Sequence, residues 1–235
     1  MSAASTLVLF DIDGTLLHTS GAGVRGMNAA FAELHGVERA LEGVPIAGRT
    51  DRAIVADAMR RIDVEPTHAA IAQLREAYVE HLRVEMRRDP PNRPSRVLPG
   101  VNALLDALET DEAFVVALLT GNFEAGARVK LGHFGLWDRF AFGAFGDEDE
   151  DRRALVPVAR RRANDAGHRP HPSERVVIIG DTPHDVDCAK AHGARAIGVT
   201  TGPFDRAALS AAGADLIVAT LEERDRVLAL LTQAL

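Results

Sequence analysis

The chain has 235 residues, of which 46% are hydrophobic and 26% are charged, so it is long enough for a large domain or for a core plus a smaller domain. Its formal net charge of −7 excludes the basic field that collects nucleic acids or anionic membrane surfaces, and neither is expected as a partner. The one cysteine, Cys188, allows no intramolecular disulfide, and the N-terminus has no cationic region of a signal peptide. These features favour a cytoplasmic protein, either a monomer or a small homo-oligomer.

The first predicted element is a short apolar strand at residues 7–10, followed directly by Asp11 and Asp13. Residues 18–92 then show helical periodicity in three amphipathic segments, without a convincing strand. A proline-rich stretch at residues 87–100 closes this segment and is typical of an ordered linker. The pattern predicts an all-helical insert between the first and second strands.

After the insert, apolar runs alternate with helical stretches. The expected strands lie within residues 113–122, 140–151, 175–185 and 194–202, and the expected helices at 101–110, 124–136 and 156–167. Strands that alternate with helices predict a doubly wound α/β sheet with parallel strands buried on both faces. We therefore expect a core made of residues 1–17 and 93–235 and a second domain at 18–92.

Polar side chains follow three of the predicted strands where each strand ends. They are Asp11, Asp13, Thr120, Asn122, Asp181 and Asp185. Because ligands of open parallel sheets bind outside the carboxyl ends of the strands, we expect these side chains to converge. Four carboxylates near one point need a cation, and Mg²⁺ is the usual partner of carboxylate oxygens.

Three motifs in this order, "DIDGT" (11–15), "LLTGN" (118–122) and "GDTPHD" (180–185), resemble motifs one, two and four of the haloacid dehalogenase-like hydrolase superfamily. The helical insert lies where the helical cap of that superfamily lies. The stretch "GDTPHDVDCAKAHGARAIGVTTG" (180–202) is similar to phosphoglycolate phosphatases. The resemblance implies a Rossmann-like parallel sheet core with an inserted all-helical cap domain.

The resemblance also implies roles for the acids. Asp11 would be the nucleophile that forms an aspartyl-phosphate, and Asp13 would be the general acid and then the base, protonated at the start. Asp11 and Asp181 would hold Mg²⁺, together with Asp13 through its backbone carbonyl, and Asp185 would bind the ion or orient its waters.

Thr120, Gly121 and Asn122 would bind the phosphoryl oxygens at the start of a helix. The third motif of the family is a cation, and no "KP" occurs in the chain. Arg152 is the best match and Arg153 the second choice.

Substrate selection is expected in the insert. In "AGRTDRAIV" (47–55), Gly48, Arg49, Thr50 and Asp51 read as a turn and helix N-cap. Arg49 could contact an anionic substrate group such as a carboxylate, although a surface arginine at a helix start is an equally good interpretation.

We therefore predict a Mg²⁺-dependent phosphatase for a small phosphorylated metabolite resembling phosphoglycolate. The second acid, Asp13, argues against the dehalogenase branch, and the absence of lysine from residues 1–129 argues against phosphonatases. Two alternatives stay open: a β-phosphoglucomutase-like phosphomutase and a non-catalytic protein that binds a phosphorylated metabolite.

Overall fold

The structure is a computed structural model that describes residues 5–88, 90, 92 and 94–233. The strands are β1 (Thr6–Phe10), β2 (Leu17–His18), β3 (Arg96–Val97), β4 (Phe114–Leu119), β5 (Gly143–Ala144), β6 (Val176–Gly180), β7 (Arg195–Val199) and β8 (Leu216–Val218). The α-helices are α1 (Ala22–His35), α2 (Asp51–Arg61), α3 (His68–Arg87), α4 (Val101–Glu109), α5 (Glu124–His133), α6 (Leu155–Asp165), α7 (Pro183–Ala191), α8 (Arg206–Ala211) and α9 (Arg224–Gln233). Short 3-10 helices lie at Trp137–Arg139, Arg152–Ala154 and Ser173–Arg175.

Six of the described strands form one parallel sheet in the order β5-β4-β1-β6-β7-β8. The central strand β1 ends at Phe10, which is in register with Leu118 of β4 and Ile179 of β6. Since all three strands run in the same direction, Asp11 lies between the ends of β4 and β6. The predicted α/β core is confirmed, and the candidate acids share one edge of it.

The strands are buried because alternate side chains pack on opposite faces of the sheet. Leu7 and Leu9 pack with residues of α6, α7 and α8, whereas Val8 and Phe10 pack with residues of α4, α5 and α9. The result is a three-layer core with helices on both faces.

Helices α1, α2 and α3 pack on each other around a separate apolar cluster, as the helical pattern of the insert predicts. At the base of the insert, β2 pairs antiparallel with β3, and Leu17 lies opposite Val97. The exact domain boundaries stay a prediction. The predicted linker falls partly outside the described residues, because these do not include Asp89, Pro91 and Arg93.

Several details differ from the sequence-based expectation. The run at 140–151 contributes only the two-residue strand β5, and the short strands β2, β3 and β8 were not predicted. The helix expected at 124–136 ends at His133, two residues before Gly135, whose φ of 68° is a left-handed conformation that terminates helices.

In the described part of the chain, none of the helices combines the length and the apolar character that a membrane span requires.

Candidate active site

Three buried carboxylates meet at the edge of the sheet. Asp11 follows β1, Asp181 follows β6, and Asp185 lies in the first turn of α7. Among the described residues, these three offer oxygen atoms that all lie within 4.8 Å of one another. The structure thus brings together three of the four acids that the sequence assigned to a metal site.

Arg152 is the cation of this cluster. One guanidinium nitrogen, Nη2, lies 2.9 Å from Oδ1 of Asp11 and 2.5 Å from Oδ1 of Asp185. The neighbouring Arg153 is instead exposed, and its guanidinium pairs with Asp151 at 2.9 Å. Asp151 caps the short 3-10 helix that starts at Arg152 and so helps to orient the two arginines in different directions. Of the two candidates, the structure places Arg152 at the acids.

The cluster carries more negative than positive charge. Burial raises the pKa of Asp11 to about 6; Arg152 opposes this shift, and Asp185 and Asp13 add to it. Burial, Asp185 and Asp11 also raise the pKa of Asp181 well above its ordinary value. Three buried carboxylates with one guanidinium form a strongly anionic site, and a hard divalent cation with oxygen ligands fits it.

The carboxylate of Asp13 does not belong to this cluster. Its Oδ2 accepts hydrogen bonds from Lys130 at 2.5 Å and from the Asn122 amide at 2.9 Å, and its Oδ1 accepts one from Thr19. Burial alone would raise the pKa of Asp13, but the charge of Lys130 and these hydrogen bonds lower it overall. Lys130 and these hydrogen bonds favour the ionised carboxylate, whereas the predicted role of general acid needs a proton on Asp13, and that role stays a prediction.

Lys130 is a site residue that the sequence reasoning did not single out. It lies on α5, its side chain is only 6% exposed, and it also donates to Oδ1 of Asn122 at 2.6 Å. Two clues were present: the chain has only two lysines, and Lys130 lies eight residues, about two helical turns, after Asn122. Helix α5 starts just after the polar end of β4, so a lysine side chain on α5 can extend back toward that strand end.

Thr120, Gly121 and Asn122 line the same edge of the sheet. The Thr120 hydroxyl lies close enough to Asp11 to lower the pKa of that carboxyl, and it accepts from the side-chain amide of Asn122 at 2.8 Å. The carbonyl of Gly121 accepts from the Asp51 N–H at 2.6 Å, which joins this loop to the insert. The three residues thus connect both acids of the first motif with the second domain.

The insert loop before α2 lies directly on the core. Thr50 is the helix N-cap, as predicted, and accepts from the Ala53 N–H. The Asp51 carboxylate accepts from the Phe123 N–H at 2.9 Å. Arg152 also donates to the carbonyl of Gly48. These contacts seat the loop over the ends of the central strands.

Arg49 lines the cavity beneath this loop, but its guanidinium is already paired. Nη2 lies 2.8 Å from Asp57, and Nη1 donates to the carbonyl of Pro45. Arg49 holds the pKa of Asp57 below its ordinary value despite an opposing effect of partial burial. The predicted substrate-reading arginine is therefore near the site without being a free cation.

A family model described as haloacid dehalogenase-like hydrolase matches residues 8–190. The chain belongs to this family. The match includes the strand ends, the insert and the helix that carries Lys130, so it spans the whole candidate site.

Relatives and solved structures agree with this haloacid dehalogenase-like assignment. A protein named "Probable phosphatase IndB" from Dickeya dadantii is 28% identical over 92% of this chain and 90% of its own length. A protein named phosphoglycolate phosphatase from Agrobacterium fabrum is 29% identical over 86% of this chain and 83% of its own. The crystal structure of a hydrolase from Pseudomonas syringae superposes with a TM-score of 0.69 over 96% of this chain and 98% of its own, and it shares the fold at 20% identity. Together with the family match, relatives named as phosphatases confirm the predicted enzyme class, a haloacid dehalogenase-like phosphoric monoester hydrolase.

Proposed function

We propose that this protein is a Mg²⁺-dependent phosphatase that hydrolyses a small phosphorylated metabolite through an aspartyl-phosphate on Asp11. The observation that carries the proposal is the convergence of Asp11, Asp181 and Asp185 with Arg152 at the end of the central strand. A buried cluster of three carboxylates and one arginine can bind a metal cation and a phosphoryl dianion side by side, since the two ligands neutralise each other's charge.

Asp11, Asp181, Asp185 and the backbone carbonyl of Asp13 would hold the metal ion. Bound there, Mg²⁺ would withdraw charge from the phosphoryl oxygens and offset the mutual repulsion of the carboxylates. The raised pKa values of Asp11 and Asp181 support this assignment, because they indicate buried negative charge without a sufficient counter-charge.

Asp11 would attack phosphorus with one carboxylate oxygen, and the bond from phosphorus to the ester oxygen would break as the new one forms. Arg152 and the Thr120 hydroxyl both contact Asp11 and so lie where the phosphoryl oxygens would arrive. Water would then attack phosphorus, release inorganic phosphate and regenerate the Asp11 carboxylate.

Asp13 would move the protons in both steps. The departing ester oxygen needs a proton, and Lys130 beside Asp13 lowers the pKa of that carboxyl. The negative charge of an arriving phosphomonoester raises the proton affinity of a neighbouring carboxylate. Asp13 would therefore take up its proton as the substrate binds, give it to the leaving oxygen, and regain one from the attacking water.

The insert, residues 18–92, would act as a cap. Its loop before α2 contacts Gly121 and Arg152, and this arrangement encloses the acids. Opening would admit the substrate, and closure would keep bulk water from Asp11 during attack. The cytoplasmic location, and the choice between a monomer and a small homo-oligomer, stay predictions from the sequence.

The direct test uses p-nitrophenyl phosphate with and without Mg²⁺. We expect turnover that EDTA abolishes and added Mg²⁺ restores, and a loss of at least about 1000-fold in kcat for Asp11→Asn, because a nucleophile is removed. Full activity of Asp11→Asn would contradict the assigned nucleophile. No turnover by the wild-type protein with any divalent metal would contradict the phosphatase function. Release of inorganic phosphate, rather than its transfer to a sugar, separates a phosphatase from a phosphomutase.

A further inference from the structure

One continuous cavity of about 360 Å³ runs from the acid cluster into the insert. At its core end it contacts Asp11, Asp13 and Asp181. Its volume is at the small end of the range for ligand sites in proteins, so it suits a metabolite with a short leaving group. The part of the cavity inside the insert faces that leaving group, and we call it the leaving-group chamber.

The walls of the leaving-group chamber are mostly apolar. Its large aliphatic side chains are Val24 and Met27 of α1, Leu41 and Ile46 of the following loops, and Ile54 of α2. Val24 and Met27 are three residues apart and therefore share one face of α1. Val24 is 37% exposed, and only one other large hydrophobic residue among those described, Val84, is equally uncovered. An apolar side chain left open toward a cavity favours an apolar ligand.

The charged nitrogens around the cavity are already used. Among the described lining residues, the arginines and lysines are Arg49, Lys130 and Arg152. Arg49 pairs with Asp57 at 2.8 Å, and Lys130 and Arg152 pair with acids of the catalytic edge at 2.5 to 2.9 Å. No arginine or lysine in the described lining is left over for a carboxylate on the leaving group.

The polar lining of the chamber includes one unpaired hydroxyl group. Tyr78 of α3 lines the cavity, and its buried hydroxyl has no hydrogen-bond partner among the described residues. A hydroxyl group can pair with an uncharged polar atom, but it supplies no positive charge for a carboxylate. An ionised carboxylate in the chamber would lose its hydration without gaining a cationic partner, which is unfavourable.

We infer that the substrate is a phosphomonoester whose leaving group is uncharged and largely apolar, and that esters carrying a carboxylate, phosphoglycolate among them, are disfavoured. This inference rests on the proposed phosphatase function. It places leaving-group selection on the apolar face of α1 and the neighbouring loops, with Arg49 acting as a structural partner of Asp57.

The test compares two esters that differ only at the end of the chain. Butyl phosphate ends in a methyl group, and the phosphate ester of 4-hydroxybutanoate carries a carboxylate in its place, so the leaving alcohols are otherwise matched. For the wild-type protein we expect kcat/KM to be at least about tenfold higher for butyl phosphate, the size of effect that apolar pockets produce. Val24→Asp should lower kcat/KM for butyl phosphate by about tenfold, because it places a charge against the apolar chain.

Val84 supplies the matched control. It is 41% exposed, lies on α3 of the same insert and does not line the cavity. Val84→Asp should leave kcat/KM for both esters within about twofold of wild type, since surface changes away from a site have small effects. The inhibition constant of inorganic phosphate should stay the same in both variants, which shows that the phosphoryl end is intact.

The outcomes separate the two proposals. A kcat/KM for the carboxylate ester that equals or exceeds that for butyl phosphate would overturn the inference and leave the phosphatase function standing. Equal losses of kcat/KM in Val24→Asp and Val84→Asp would do the same. Turnover of neither ester nor of p-nitrophenyl phosphate would contradict the proposed function. In that case calorimetry would measure the Kd of each ester. A Kd for butyl phosphate that is equal to or higher than that of the carboxylate ester would overturn the inference.

Discussion

The ammonium group of Lys130 lies 2.5 Å from Oδ2 of Asp13, the second acid of the first motif, and it holds Oδ1 of Asn122 at 2.6 Å. The contact crosses from α5 to the end of β1 and connects two parts of the chain that are 117 residues apart. It fixes the orientation of the carboxylate that we assign to proton transfer, and it keeps that carboxylate apart from the cluster of Asp11, Asp181 and Asp185.

Lys130→Met is expected to lower kcat about tenfold or more with a smaller change in KM, because a positioned proton-transfer group contributes about 100-fold or more to a rate. Lys130→Arg should recover part of kcat, since it restores the positive charge. Lys190→Met is the control: the other lysine of the chain pairs with Asp215 at the exposed surface. Steady-state kinetics on one substrate decide the matter. Equal kcat values for Lys130→Met and Lys190→Met would contradict the assigned role.

Arg152 and its neighbour provide a second prediction. Arg152→Lys should lower kcat/KM about 100-fold, because an ammonium has no second nitrogen to keep the Nη1 contact with the Gly48 carbonyl while it contacts Asp11 and Asp185. Arg153→Lys should stay within about twofold, since that side chain forms a surface pair with Asp151. Melting curves for both variants establish that they are folded. A larger loss of kcat/KM in Arg153→Lys than in Arg152→Lys would show that the phosphate-neutralising cation was assigned to the wrong neighbour.

The convergence of Asp11 and Asp181 could be predicted from the sequence because parallel strands bring their carboxyl ends to one edge of the sheet. Strand direction alone places both residues there, without knowledge of side-chain orientation. It could not settle Arg152 against Arg153, since adjacent side chains point in different directions only once the short 3-10 helix and its cap are known. Lys130 was missed because it lies within an amphipathic helix and reads there as a surface charge. Strand β8 was missed because three residues carry too little periodicity to distinguish a strand from a loop.

Gly121 tests closure of the insert on the core. A Cβ added there would overlap the backbone carbonyl of Arg49, so Gly121→Ala must displace the insert loop. We expect kcat/KM to fall by about tenfold or more, because misplacement of groups around a reacting centre by about 1 Å is costly. Gly132→Ala on α5 is the control, since a Cβ at that position meets no described atom within 4 Å beyond its chain neighbours and the backbone of its own helix. Wild-type kcat/KM for Gly121→Ala would show that the loop does not need this contact.

Asp51 predicts a pH dependence of stability. Burial raises the pKa of Asp51 to about 7, although Lys130 and the Phe123 N–H oppose the shift. With a folded-state pKa above the ordinary value of 3.8, Asp51 contributes stability that is complete below pH 3.8 and is lost as the pH rises through about 7. The difference corresponds to at most about 4 kcal/mol.

Asp51→Asn should therefore become more stable relative to wild type as the pH rises from about 5 to about 8, by about 1 to 3 kcal/mol. The asparagine oxygen can still accept the Phe123 N–H, so the hydrogen bond is kept. Urea denaturation at both pH values measures the change in the free energy of unfolding. A difference between variant and wild type that is the same at both pH values would contradict the raised pKa.

The central claim is that Asp11 forms a covalent bond to phosphorus. Acyl phosphates are reduced by borohydride, which would convert a phosphorylated Asp11 into homoserine. The decisive measurement is peptide mass spectrometry after the protein is mixed with Mg²⁺ and substrate, quenched and reduced, with Asp11→Asn and a substrate-free sample as controls. We expect homoserine at position 11 in the substrate-treated wild-type protein alone. Phosphate release without any modification at position 11, or with homoserine at another aspartate, would contradict it.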